Sequence, residues 1–512
     1  MNIIIPLAGK SQRFKKSGFK KDKFLLKIGE QSIIEKVISM FDANKDNFFF
    51  IISNKQNKKE IENHLNNLVK KKSIIVINEN SLGPVKSILL ASKKIPNNQE
   101  VIISYCDFYV DWDYEFFKRN LHNVEANFPA FKGFHPASFG NTYYAYMKLD
   151  KDNFLLKLRE KKSFTNKRSL EPASTGLYYF KSFKIFLKYS KLLVESKKLV
   201  NNEYYVSLLA NLMIADNLKI KVDFIKKFIC LGTPEDYKEY LYWLDYFSKN
   251  KQRLKGNQTN STNLIPLGGV GNRFKKAGYK ISKPFIRLDD ETIIEKSCKS
   301  FPESNNWIFI INKSILKNKK NYDIIYSINK NSKIKKIDST NGQLETCYLA
   351  KNNIDKNKNI FVASCDYISI FDEKKWSKFQ NLYKPDVVVW TFKLKDLKIK
   401  NYSNFAYCKL NNKKKLTSIV EKKTISKYPQ NDQMVVGSFW FKNFSLIEDC
   451  YKNSKNKSLK INNEYYIGES INFLIKKGKN VLNFEIDKWI SLGDPFELNM
   501  YYYWKDYFYD KN

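Results

Sequence analysis

Two short segments carry residues suited to gripping a chain of phosphates. Leu7-Ala8-Gly9-Lys10-Ser11-Gln12-Arg13-Phe14 and Leu267-Gly268-Gly269-Val270-Gly271-Asn272-Arg273-Phe274 each end an apolar, strand-like run. Small residues there let backbone N–H groups close on phosphate oxygens. Arg13 and Arg273 add a forked donor for the same oxygens. Ten residues past each Arg stands a Lys, Lys23 or Lys283. A loop that wraps a nucleotide brings both cations onto its phosphates. Two common phosphate motifs do not fit. Gly9-Lys10-Ser11 imitates the end of a P-loop, but that motif needs glycine where Ile4 stands. The dinucleotide pattern begun by Gly269 and Gly271 ends at Phe274 instead of a third glycine. A glycine-rich loop alone could be an ordinary tight turn; Arg and Lys at one spacing in both segments argue against that.

Acidic residues complete the set. Asp107 and Asp366 sit just past strand-like runs, in Ser104-Tyr105-Cys106-Asp107 and Ala363-Ser364-Cys365-Asp366. A carboxylate there is a natural Mg2+ ligand, with helix capping as the alternative. Glu160-Lys161 and Glu421-Lys422 are charged pairs, and an exposed pair without function is the alternative for each.

The elements that position these residues come in two tandem copies. Residues 5–41 and 265–301 share 16 identities in 37 positions at an offset of 260. The register then holds within one residue: Gly83 with Gly342, Cys106-Asp107 with Cys365-Asp366, Glu160-Lys161 with Glu421-Lys422, Asn201-Asn202-Glu203-Tyr204-Tyr205 with Asn462-Asn463-Glu464-Tyr465-Tyr466, and Leu231-Gly232 with Leu492-Gly493. Such a constant offset reads as duplication. Domains are expected at 1–248 and 263–512, with a polar linker at 249–262. In the first copy, strands are expected at Ile3–Leu7, Phe48–Ser53, Ser73–Ile77 and Glu100–Ser104. Helices are expected between them at 32–41, 58–68 and 85–94. Further strands are expected at 143–149, 154–158 and 173–180, and helices at 182–195, 203–215 and 234–248. Alternating strands and helices predict an α/β fold with a mainly parallel, mixed sheet flanked by helices. Ligands of such sheets bind at the carboxyl ends of the strands.

These segments resemble the sugar-phosphate nucleotidyltransferases, and within them the branch found in capsule and lipopolysaccharide gene clusters. Residues 267–285 of the second copy match the family signature closely. The first copy has Ser11 for a glycine and Asp22 for a proline. The resemblance implies a Rossmann-like nucleotide-diphospho-sugar transferase fold in each copy. It implies coupling of a nucleoside triphosphate to a phosphorylated sugar or similar small acceptor, with release of pyrophosphate. The catalytic residues it implies are Arg13, Lys23, Arg273 and Lys283. Nucleotide contacts fall to Leu7, Ala8, Gly9, Ser11 and Gly83, and to Leu267, Gly268, Gly269, Gly271, Gly342 and Gln343. Acceptor contacts fall to Glu160, Lys161, Gly176 and Glu203, and to Glu421, Lys422, Gly437 and Glu464. Asp107 and Asp366 would hold Mg2+.

The sequence departs from the family in places. Pro84 stands where the second copy has the base-contacting Gln343, so base recognition in the first copy is altered or lost; Gly-Pro is also a normal helix start. Cys230 and Ser491 occupy the position of a second metal ligand, and a thiol is a poor Mg2+ ligand. Asp236 and Glu497 lie nearby, where they could equally open the last helix.

Composition excludes other classes. The net charge of +38 suggests an anionic partner, but only seven of the 90 basic residues are Arg, and the Lys are spread along the chain. Nucleic-acid readers favour Arg for its bidentate fork, so no nucleic-acid partner is expected. No apolar run reaches membrane-spanning length. The N-terminal run lacks a basic segment ahead of it and is expected to be the first strand. Seven Cys with no C-x-x-C pair, and three His (64, 122 and 135) without metal-ligand spacing, predict reduced thiols in a cytoplasm and no zinc or Ser-His-Asp chemistry. A glycosyltransferase using Asp111-Trp112-Asp113 remains open, as does a non-catalytic nucleotide sensor in one or both copies.

Overall fold

The structure, a computed structural model, describes residues 1–79, 82–121, 124–139, 143–248, 259–316, 318–412 and 415–509. The chain divides into two compact units, Met1–Ser248 with Lys505–Asn512, and Lys249–Trp504. Residues 249–258 of the expected linker and His122 lie outside the described residues; residues 259–262 open the strand Thr259–Leu267.

The first unit is built on seven strands in the order Ile220–Lys221, Ala126–Asn127, Leu177–Phe180, Val101–Ser104, Asn2–Pro6, Asn47–Ser53, Lys71–Ile77. Asn2–Pro6 runs parallel to both its neighbours, and Asn47–Ser53 parallel to Lys71–Ile77. Leu177–Phe180 is antiparallel. The central strands are continuous Ile, Val and Phe because both sheet faces are covered. Helix Pro84–Ala91 places Val85 and Ile88 against Ile4 and Ile103, and helices Phe183–Glu195 and Leu209–Ala215 add Phe186 and Met213 to the same core.

The second unit repeats this order with Lys333–Ile337, Ser304–Asn312, Thr259–Leu267, Ile360–Ala363, Gln433–Phe441, Val387–Phe392 and Val481–Glu485. The hairpin Tyr407–Leu410 and Leu416–Val420 pairs with Gln433–Phe441. Each unit is thus an α/β fold with a parallel-rich sheet flanked by helices. Among the described residues, no helix is long and apolar enough to cross a membrane.

Two expected elements differ. The strand expected over 173–180 splits at Gly176, whose φ of 97° bends the chain between Ala173–Ser174 and Leu177–Phe180. The helix expected from Glu203 begins later, as a 3-10 turn Val206–Leu208 leading into Leu209–Ala215. Asn201 and Asn202 both adopt positive φ, at 47° and 63°, and close a tight two-residue turn bridged from Val200 to Glu203. Asn462 and Asn463 do the same in the second unit.

Candidate nucleotide and acceptor site

The loop after the first strand turns sharply at residue 11. Ser11 has φ 50° and Gly271, in the same register, has φ 69°. Each turn feeds a one-turn helix, Gln12–Lys16 or Asn272–Lys276, which leaves Arg13 and Arg273 exposed at the mouth. The chain then folds back. Ser11 Oγ accepts a long hydrogen bond from Lys23 N, and Lys283 Cβ lies 3.5 Å from a Cβ built on Gly271.

The lysines meet the acidic residues. Lys23 Nζ lies 2.7 Å from Asp107 Oδ2, and Lys283 Nζ lies 2.5 Å from Asp366 Oδ2. All four side chains keep partial access to solvent. Burial opposes the Lys23 charge, but the Asp107 carboxylate, with Cys106 beside it, more than offsets this and holds the proton well above the usual lysine range. Burial pushes the Cys106 and Cys365 thiols up to about 12, so neither is a nucleophile.

The position after each Asp is tied to the last edge strand. Leu231 N and Leu492 N donate to the carbonyls of Asp107 and Asp366 at 2.8 Å. This places Cys230 and Ser491 beside the carboxylates. Cys230 Sγ donates to Asp236 Oδ2 at 3.4 Å, and Thr233 Oγ1 also donates to it. In the second unit Glu497 Oε2 accepts from the N–H groups of Gly493 and Asp494, and burial and the Asp494 charge raise its proton affinity. Asp366 Oδ2 and Glu497 Oε2 flank one space, 3.4 and 3.1 Å from a Cβ placed on Gly493. Among the described residues no group of three His, Cys, Asp or Glu is placed to hold a metal. One carboxylate per unit still suits Mg2+, which completes its shell with water and substrate phosphates.

The far wall carries the charged pairs. Glu160 and Glu421 end on strands clamped from behind by an asparagine: Asn211 exchanges two hydrogen bonds with the Leu158 backbone, and Asn472 does so with Ile419. Lys161 and Lys422 follow at φ 56° and 54°, and donate to the carbonyls of Tyr143 and Asn404. Each ammonium lies over a tyrosine ring, Lys161 over Tyr205 at 5.2 Å and Lys422 over Tyr466 at 5.4 Å. Those phenols in turn hydrogen-bond Glu203 and Glu464. Burial lowers the Lys422 proton affinity, against the pull of Glu421.

Ala8, Gly9, Ser11, Arg13, Lys23, Gly83, Asp107, Glu160, Lys161, Gly176 and Glu203 all line one cleft of about 800 Å³. Leu7 does not, and neither Leu7 nor Leu267 offers a side chain, both being buried. The Leu7 N–H donates to the Ile51 carbonyl and the Leu7 carbonyl accepts from Gln56, so its backbone is also engaged. In the second unit Gln343 Nε2 donates to Ser364 Oγ at 3.1 Å; the residues in that register in the first unit are Pro84 and Tyr105. Tyr105, Tyr205 and Tyr466, Asn211 and Asn472, and Ser207 were not singled out by sequence. Recurrence in register was the available signal for Tyr205 and Asn211, but an aromatic or amide on a helix start is ordinarily structural.

Residue 268 is fitted to its unit. A Cβ on Gly268 would lie 2.6 Å from Thr346 Oγ1 and 2.8 Å from Thr340 Oγ1, which hydrogen-bond each other. The first unit has Ala8 there, and Ser87, whose Cβ is unbranched, in the register of Thr346. Gly268→Ala is expected to destabilise the second unit by ~1–3 kcal/mol, the usual scale of overpacking. Thr346→Ser in the same chain should recover part of it. A double-mutant cycle followed by chemical denaturation checks this, and strictly additive losses would refute the coupling.

A family model described as nucleotidyl transferase matches residues 3–246, so the first half of the chain carries such a domain. A search of curated proteins finds no match. Among solved structures, a nucleoside-diphosphate-sugar pyrophosphorylase from Vibrio cholerae is 21% identical, covering 47% of this chain and 99% of that one, with a TM-score of 0.40. HddC from Yersinia pseudotuberculosis is 18% identical over 47% of this chain and 97% of that one, with a TM-score of 0.36. An inositol-1-phosphate CTP transferase from T. maritima is 14% identical over 46% and 90%, also at 0.36.

Proposed function

We propose that the chain is a duplicated nucleotidyltransferase. Each unit would couple a nucleoside triphosphate to a phosphorylated sugar or similar small acceptor and release pyrophosphate, in the cytoplasm and for surface polysaccharide synthesis. The observation that carries this reading is the repeated lysine–aspartate pair beside the Arg-bearing loop: Lys23 with Asp107, and Lys283 with Asp366. The shared strand order of the two units supports the duplication.

In the reaction, a phosphate oxygen of the acceptor attacks the α-phosphorus. The bond from that phosphorus to the bridging oxygen breaks, and pyrophosphate leaves with the electron pair. The nucleophile is already an anion, so no base is needed, and the protein's work is alignment and charge neutralisation. Arg13 and Arg273, at the mouth, hold the β- and γ-phosphates. Lys23 and Lys283 turn from their aspartates to the α-phosphate as its charge develops. Asp107 and Asp366 are the residues that would hold Mg2+, which supplies Lewis-acid neutralisation of the phosphates when bound. Glu160 and Glu421 hydrogen-bond the acceptor, while Lys161 and Lys422 face the acceptor phosphate. Gln343 reads the base in the second unit.

The test is pyrophosphate release from the intact chain with Mg2+, each of the five common nucleoside triphosphates, and a panel of sugar 1-phosphates and phosphorylated polyols. Release that needs both a triphosphate and an acceptor is expected. No release with any combination would overturn the proposal.

A further inference from the structure

The two units differ beside the carboxylate that faces the acceptor. In the first unit the Ser207 hydroxyl donates to Glu160 Oε2, and Lys161 Nζ lies 3.5 Å from Oε1. Ser207 is fully buried and the Glu160 side chain is 4% exposed, so this carboxylate has a donor and a cation inside the protein. In the second unit the residue in register is Gly468. A Cβ there would stand 2.3 Å from Glu421 Oε1, in the space that Ser207 fills in the first unit. The next position changes as well, from Leu208 to Glu469, whose charge faces Glu421. The asparagine clamps are the same in both units.

Resting on the nucleotidyltransferase reading, we propose that the residue at 207 and 468 determines acceptor specificity. The first unit takes an acceptor that donates hydroxyl hydrogen bonds to Glu160, as a phosphorylated polyol does. The second takes an acceptor that offers Glu421 a hydrogen-bond acceptor, such as a carboxylate, because Gly468 supplies no hydroxyl to that carboxyl.

A half-buried carboxylate that accepts no hydrogen bond from the protein holds its proton more tightly. Burial pushes the Glu421 carboxyl up to about 7; Lys422 opposes this and Glu469 adds to it. The other groups facing it are the Cys408 thiol on strand Tyr407–Leu410 and the Tyr466 phenol. The Cys408 thiol is held protonated by burial. As an acid, Glu421 donates a hydrogen bond, whereas Glu160 accepts one from Ser207.

Lys23→Ala confines turnover to the second unit of the intact chain. In that background, with a carboxylate-bearing acceptor phosphate, pyrophosphate release should fall as pH rises through about 7. Adding Gly468→Ser should move that midpoint down by about one unit or more, and should shift preference at least ~10-fold toward phosphorylated polyols. An unchanged midpoint and acceptor order would overturn the proposal. Glu421→Gln, neutral at every pH, should remove the pH step and keep the acceptor order; a persisting step would also overturn it.

A chain that releases no pyrophosphate in any form defeats the nucleotidyltransferase reading instead, and unfolding then decides about Glu421. A carboxyl whose folded pKa is raised stabilises the fold below its unfolded pKa and loses that contribution as pH rises through the folded value. The Tm of Gly468→Ser should therefore gain on the parent above about pH 7. A Tm difference constant with pH would overturn the inference.

Discussion

Lys283→Ala is expected to lower turnover of the second unit at least ~100-fold, the scale of removing one preorganised electrostatic donor. Lys283 Nζ is 2.5 Å from Asp366 Oδ2 and stands against the loop turn at Gly271. It therefore lies between the loop that would hold the phosphates and the carboxylate that would hold their cation. No other lysine in the second unit pairs with Asp366 among the described residues, so its charge has no replacement there. The fold should survive, because the Asp366 side chain is 30% exposed and water can solvate the charge left behind. Single-turnover pyrophosphate release in a Lys23→Ala background isolates the effect. Arginine at 283 should not rescue, since its rigid fork cannot replace a compact ammonium against a crowded turn. Unchanged turnover in Lys283→Ala would remove this residue from the mechanism.

Gly342→Ala should have the largest effect on stability, about 3–5 kcal/mol in the second unit. Gly342 caps helix Gln343–Tyr348 at φ 108°, a conformation hostile to any side chain. A Cβ there would stand 2.8 Å from both the N and O of Tyr465 and 3.0 Å from Glu464 Cβ. Two of those three atoms are backbone and cannot swing aside. They also take part in hydrogen bonds, Tyr465 N to Asn341 O and Leu344 N to Tyr465 O. Displacing them would loosen the Asn-Asn turn that positions Glu464 and Tyr466 beside Lys422. Gly478→Ala is the control: φ is 74°, but nothing lies within 4 Å, so only the backbone strain of ~1–2 kcal/mol remains. Denaturant unfolding of both variants separates strain from collision, and equal losses would refute the packing argument. A Cβ on Gly83 would lie 2.9 Å from Glu203 Cβ and 3.0 Å from Tyr204 N, so the first unit should respond similarly.

These glycines show how much of the site could be read in advance. The resemblance points to Gly83 and Gly342 as nucleotide contacts and to Glu203, within the repeated block Asn201 to Tyr205, as an acceptor contact. The structure joins the two: the block's backbone lies on the glycine, which leaves no room for a side chain. Distant segments that fit each other in this way leave no mark on either segment alone. The loop proposed to hold the phosphates stands out in the sequence because its small residues, Arg and Lys lie inside one stretch. The βαβ order was legible because buried parallel strands are continuously apolar. The short strands Ala126–Asn127 and Ile220–Lys221 were not, because two residues carry no periodicity.

The sequence by itself determined the repeat, the strand–helix alternation, and the Arg, Lys and Asp set, all of them properties of residue type and spacing along the chain. Only the tertiary structure decided which lysine meets which aspartate, that Tyr205 and Tyr466 lie under the Lys161 and Lys422 ammoniums, and that Glu160 has a hydroxyl donor while Glu421 has Gly468. The reason is that ion pairing, cation–π contact and carboxyl protonation depend on separations of a few ångströms across folded segments. Ser207 and Gly468 are one aligned position in the sequence. The contact each of them makes with the carboxyl it faces exists only in the folded chain.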